Sequence, residues 1–208
     1  MLTLYGTQGS GSAAVEAALA RVGLAFDRVD AASWTPGPGR DALLRVNPLG
    51  QIPTLVLDDG LVLTESAAIL IHLGLTTAPG VLLPADAGAR ATTIRGLVYI
   101  AANCYAAISV IDFPERWCEP CSEVDKDHIR AGTRSRLHHH WRLFADQFDT
   151  GFDGANPGAL ELLAAVVSRW SGARAHLQAE RPDFHAKLLQ VERHADVAAV
   201  FQHHWSSP

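Results

Sequence analysis

The chain has 208 residues, 48% of them hydrophobic and 19% charged, with a formal net charge of −5. That length and apolar share suit one large or two small domains with a sizeable core. The weak charge and the lack of any Lys/Arg run set nucleic acid and anionic membranes aside as partners. No run of 18 apolar residues reads as a membrane span, and three cysteines are too few for a disulfide framework.

From the start of the chain, Leu2–Tyr5 reads as a strand, with no basic leader or signal-type apolar core before it. A reducing cytoplasm is therefore the expected location. The loop Tyr5-Gly6-Thr7-Gln8-Gly9-Ser10-Gly11-Ser12 leads into a helix over Ala13–Val22, and a strand follows over Ala25–Asp30. A polar loop with Pro36-Gly37-Pro38-Gly39 precedes a short helix near Asp41–Val46. Two apolar runs, Val56-Leu57 and Leu61-Val62-Leu63, flank Asp58-Asp59-Gly60, and an Asp-Gly step between such runs is a hairpin signal. Pro53 cannot donate a ladder hydrogen bond, which suits a position where a strand begins. The order β-α-β-α-β-β-α describes a thioredoxin-like layer over residues 1–76.

Helical periodicity resumes at Leu63-Thr64-Glu65-Ser66-Ala67-Ala68-Ile69-Leu70. A helix N-terminus offers unpaired N–H groups and a positive dipole end, which suit a carboxylate ligand. Ser66 adds a hydroxyl donor there, and Glu65 an acceptor for an ammonium group. Thr64 and Ser66 would equally serve as plain helix caps, with Glu65 favouring the first turn. With Gln51, Ile52 and Pro53 just upstream, the ligand reading describes a site for a small zwitterionic peptide.

These two segments, Asn47-Pro48-Leu49-Gly50-Gln51-Ile52-Pro53-Thr54-Leu55 and Leu63 to Leu70, resemble in order and spacing the glutathione-binding half of cytosolic glutathione transferases. The resemblance extends from Met1 to about Leu73, and more loosely beyond. It implies a cis Ile52–Pro53 bond that leaves the Ile52 backbone free to pair with the peptide, and it implies glutathione as co-substrate. Members of this family hold the sulfur with a Ser, Cys or Tyr in the first loop, which points here to Ser10 as the catalytic residue and Ser12 as its neighbour in the substrate site. Either serine would also serve simply as a helix cap. The thiolate is the nucleophile, so the site must lower a thiol pKa of about 8.5. The loop has no cysteine, unlike family members that reduce disulfides.

Residues 76–86 read as a linker, and 87–208 as an all-helical domain that walls the electrophile pocket. Its helices are expected near Ala89–Ile111, Asp125–Phe148, Leu160–Trp170, Phe184–Leu189 and Val197–His204. Tyr105 is the pocket candidate on the first of them, with Trp34 and Trp141 as weaker ones. Core packing would equally explain a lone aromatic on a helix. Some bacterial relatives carry a histidine near this position, so Tyr105 departs from the pattern. Trp117-Cys118-Glu119-Pro120-Cys121 imitates a redox motif, but it lies between helices rather than after a strand. Consecutive helical residues diverge, so His138-His139-His140 cannot converge on one metal, and no metal site is expected. Gly158 and Glu161 stand where the family usually has a Ser/Thr…Asp capping box. The expected function is a cytoplasmic, homodimeric transferase joining glutathione to a small electrophile in detoxification. The alternatives are a non-catalytic glutathione-binding or protein-interaction module and, third, a thiol-disulfide reductase.

Overall fold

The computed structural model describes residues 1–205. Strands β1 (Leu2–Gly6), β2 (Phe26–Asp30), β3 (Thr54–Val56) and β4 (Val62–Thr64) form one sheet in the order β2-β1-β3-β4. β1 and β2 are parallel, β3 is antiparallel to β1, and β4 is antiparallel to β3. Helices α1 (Ser12–Arg21), α2 (Pro38–Val46) and α3 (Ser66–Thr76) complete the expected thioredoxin-like layer. The turn of the hairpin is Asp58-Asp59-Gly60. Gly60 adopts φ +86°, and Leu61 N–H bonds Asp59 Oδ1 at 2.9 Å. A side chain at that φ would be strained, which is why glycine follows the aspartate pair.

Helix α1 is buried from Ser12 to Leu19. It packs on β1 and α3 on one side and on the helical half through α7 (Ala159–Val167) and α10 (Ala198–Trp205) on the other. Alanines at 13, 14, 17 and 18 permit that double approach, since a helix apolar all round must be enclosed. Every residue of α7 is buried as well. Together α1 and α7 join the two halves of the molecule.

The helical half also holds α4 (Ala87–Tyr99), a π-helical stretch Ile100–Tyr105, α5 (Ala106–Asp112), α6 (Glu123–Phe148), α8 (Ala173–Glu180) and α9 (Pro182–Arg193). No strand follows Thr64 among the described residues. The single long helix expected near 89–111 is thus one helical run interrupted by a π segment. Ala87–Asp112 is long and apolar enough by composition to cross a membrane, with a mean hydropathy of 1.6 in its most apolar window. Its buried side, with Leu97, Ile100, Cys104 and Ile108, packs on α6 and α7. Helix α8 was not anticipated: only Ala173 and Leu177 are buried in it, too thin a stripe to read from periodicity.

The glycine at the capping position 158 has a structural reason. The Leu82 carbonyl accepts the Ala159 N–H at 2.9 Å, and a Cβ on Gly158 would stand 2.8 Å from that same oxygen. Glycine admits the linker backbone, and Leu82 replaces the missing side-chain cap. Glu161 Oε2 still reaches back to the Gly158 N–H at 3.1 Å.

Candidate active site

Strand directions bring the three candidate segments to one end of the sheet. Tyr5 lies opposite Thr54, and Thr54 opposite Thr64. β1 ends there and opens into the loop 7–11, β3 begins there after Ile52-Pro53, and β4 ends there at Glu65-Ser66. The site is therefore assembled by register across three neighbouring strands.

The Ile52–Pro53 bond is cis, as the resemblance implied. Among the described residues, neither the N–H nor the C=O of Ile52 has a hydrogen-bond partner. Pro53 is buried and Gln51 is exposed. Asn47, only 3% exposed, braces this turn from beneath. Its Nδ2 donates to the Gln51 carbonyl at 3.0 Å and to Thr54 Oγ1 at 2.9 Å, while its Oδ1 accepts from Leu49 N–H at 3.1 Å. Asn47 has no task legible in the sequence, because three polar groups converging on one buried amide is not a pattern of spacing.

Glu65 caps α3 with φ +63°, a conformation that costs a non-glycine residue about 1–3 kcal/mol. Its carboxylate is exposed and has no partner among the described residues. The first helical bond is Ile69 N–H to Glu65 O at 3.0 Å, which leaves the N–H groups of Ser66, Ala67 and Ala68 outside the helical ladder. The Ser66 hydroxyl also makes no protein bond among the described residues. An acceptor, a hydroxyl donor and a helix N-terminus thus stand free side by side.

The serines are placed differently from expectation. Ser10 is 7% exposed, and its hydroxyl donates its one proton to the Thr7 carbonyl at 2.7 Å. Ser12 is 0% exposed, packed under Gly6, with its Oγ 3.0 Å from that of Ser10. Both hydroxyls shape the loop from within. Ser12 is thus fully enclosed, and Ser10 has its proton turned inward. Sequence spacing could not reveal this, because it depends on which way the loop closes over Gly6.

Gly11 is buried in the same loop, and its backbone carries an unpartnered donor. Its N–H has no partner among the described residues, and the Tyr105 hydroxyl lies so close that a Cβ on Gly11 would collide with it. Tyr105 is the last residue of the π segment, and its ring sits 5.8 Å from that of Trp170. Burial first, then the Glu65 and Asp112 carboxylates, push its phenol up to about 12. It is therefore a neutral O–H donor at physiological pH, without a hydrogen-bond partner among the described residues. The π insertion shifts the helix by one residue and sets this ring against α1.

Other candidates fall away. Trp141 is fully buried in the helical core against Phe144, and Trp34 is 62% exposed. Cys118 and Cys121 are free thiols between α5 and α6. Partial burial and then Cys118 push the Cys121 thiol up to about 11, the wrong direction for a nucleophile. The three consecutive histidines diverge: His138 stacks on His176, His139 is exposed, and His140 lies against Tyr99. No cluster of metal-ligating side chains occurs among the described residues. Cavities of about 630 and 640 Å³ lie away from the loops, one beside Arg134 and Arg142 on α6, the other beside Leu2 and His72.

Residues 12–75 match the family described as glutathione S-transferase, N-terminal domain. A GST-like protein of Escherichia coli K12, YncG, is 33% identical over 130 residues, 62% of this chain and 63% of that protein. Glutathione S-transferase GstA of Escherichia coli O157:H7 is 38% identical over 98 residues, 47% of this chain and 46% of that protein. The matched stretches thus span under two thirds of these curated relatives. Among solved structures, a glutathione transferase homolog from Sulfitobacter with bound glutathione superimposes with a TM-score of 0.77 at 26% identity, covering 96% of each chain. BphK, a bacterial GST, gives 0.77 at 25% identity, over 96% of this chain and 98% of that one.

Proposed function

We propose that this chain, which belongs to the cytosolic glutathione S-transferase superfamily, binds glutathione at the shared end of β1, β3 and β4 and ionises its thiol for attack on a small electrophile. The observation that carries this reading is the unpaired Ile52 backbone beside cis-Pro53, aligned across the sheet with the free Glu65–Ser66 helix start. Ile52 pairs with the peptide backbone, Gln51 lies beside it, and Ser66 and the α3 N-terminus receive a carboxylate. Glu65 takes the ammonium group. The Sulfitobacter homolog at 26% identity, whose structure holds glutathione, supports the ligand.

For the sulfur, the inward hydroxyl of Ser10 favours the unpartnered donors: the Gly11 N–H at the start of α1, assisted by the Tyr105 hydroxyl. Helix N-termini bring thiol pKa values down to about 3.5–7.5. Ser10 acts by holding the loop. The electrophile enters between that loop and the helical half. We assign residues 1–76 to glutathione binding and 87–208 to the electrophile wall. Ala91, Val98, Ala102 and Ala106 form an exposed small-apolar stripe along α4–α5, the face we assign to a homodimer.

Calorimetric titration with glutathione tests the site. Glu65→Ala and Ser66→Ala should each weaken binding by roughly 10- to 150-fold, the loss of a hydrogen bond to a charged group. Parent-like affinity in both variants would overturn the assignment. The thiolate absorbance of bound glutathione, followed against pH, separates a transferase from a mere binder: only the former lowers the thiol pKa. A monomer mass by light scattering at micromolar concentration would remove the dimer.

A further inference from the structure

Glu16 is the one charged residue on the enclosed faces of α1, and its carboxylate is used twice. Oε2 pairs with Arg28 Nη1 of β2 at 3.0 Å, and Oε1 lies 3.0 Å from His204 Nε2 of α10. The His204 side chain is fully buried and that of Glu16 is 5% exposed. On its other edge, His204 Nδ1 accepts the Gly9 N–H at 3.1 Å. A nitrogen that accepts carries no proton, so the ring proton sits on Nε2 and is donated to Glu16. The neighbouring His203 carbonyl accepts from Gln8 Nε2 at 2.7 Å. The last helix thus grips two successive residues of the loop that carries Ser10 and Gly11.

We propose that His204, with its tautomer set by Glu16, is a positioning residue for the thiol-activating loop. A buried carboxylate neutralised on one oxygen by Arg28 keeps its other oxygen as a fixed acceptor. That acceptor holds the imidazole with Nδ1 bare and aimed at Gly9. Gly9 stands at φ +72°, a left-handed setting with little intrinsic preference to sustain it. The His204 bond supplies the restraint, and through it the Gly11 N–H keeps its place relative to the ligand sulfur. Misplacing such a donor slows the chemical step while the peptide's remaining contacts, at Ile52, Glu65 and Ser66, are untouched. The inference rests on the glutathione site proposed above.

The test compares H204A, which removes the acceptor, with H204N, whose Oδ1 falls where Nδ1 was. Circular dichroism checks each fold. H204Q, which reaches Glu16 but offers Gly9 no acceptor, replaces H204A should that variant fail to fold. Two readouts are taken: hydrogen exchange at the Gly9 amide by NMR in the unliganded protein, and steady-state conjugation of glutathione to an activated chloronitrobenzene. H204A should exchange Gly9 about 3- to 10-fold faster, the equivalent of one hydrogen bond, and lower kcat by a similar factor, with KM for glutathione within about twofold. H204N should recover most of both losses. Unchanged Gly9 exchange in H204A would overturn the proposal, and so would equal kcat losses in H204A and H204N, which mark His204 as packing alone. A parent protein that binds no glutathione defeats the site reading instead, and the Gly9 exchange then still decides whether His204 holds the loop.

Discussion

Replacing Gly11 with alanine turns the contact between the two halves of the molecule into a measurable sign. Gly11 has φ −64° and ψ −12°, which any residue adopts. At such a position Gly→Ala ordinarily stabilises by about 0.4–1 kcal/mol, by narrowing the unfolded ensemble. Here the new methyl would meet the Tyr105 hydroxyl, with the ring carbons Cζ and Cε2 behind it at 3.1 and 3.4 Å. Overpacking of this kind costs about 1–3 kcal/mol and outweighs the entropic gain. Gly11→Ala should therefore lower stability in urea unfolding by about 1–2 kcal/mol. In a Tyr105→Phe background the clashing oxygen is gone, and the remaining ring contact needs only a few tenths of an ångström of adjustment. The cost should fall by at least about 1 kcal/mol, a coupling typical of residues in direct contact. A Gly11→Ala protein as stable as its parent, or a penalty unchanged by Tyr105→Phe, would refute the placement of Tyr105 over the start of α1.

Asn47→Ala removes three hydrogen bonds beneath the cis-proline turn and should cost about 1–3 kcal/mol in denaturant midpoint, with weaker glutathione binding by calorimetry. Tyr105→Phe should lower kcat with little change in glutathione KM, and Ser10→Ala should lower thermal stability as well as rate, since its hydroxyl serves the loop. Burial pushes the Glu161 carboxyl from 4.5 to about 6. The folded state therefore binds the proton more tightly than the unfolded chain. The stability this confers is complete below pH about 4.5 and lost as pH rises through about 6, a decline of about 2 kcal/mol. Unfolding midpoints from pH 4 to 7 should show that decline in the parent and not in Glu161→Gln; parallel curves would contradict it.

The sheet and the geometry around Ile52-Pro53 and Glu65-Ser66 were legible because their signals are local. Asp59-Gly60 sets a turn by the φ of one residue, and Ile52-Pro53 and Glu65-Ser66 lie where strand pattern gives way to turn and helix. The loop after β1 was not legible. Whether Ser10 faces out or in is decided by its bond to the Thr7 carbonyl inside the folded loop, and the free N–H of Gly11 is a backbone group invisible to residue type. The π segment that aims Tyr105 leaves no periodic trace over six residues. Nothing local in the sequence marks His204, since its partners Glu16 and Gly9 lie 188 and 195 residues away.

That separation has a consequence for how the molecule is made. The Gly9–His204 bond closes nearly the whole chain into one loop, and contacts of such long range form late because chain closure must come first. On a ribosome the thioredoxin-like layer emerges with its sheet, cis-proline turn and α3 complete, while the segment after β1 still lacks the helix that will hold it. On the proposed reading, affinity for the peptide can be acquired before α10 is made, whereas reactivity must await that helix.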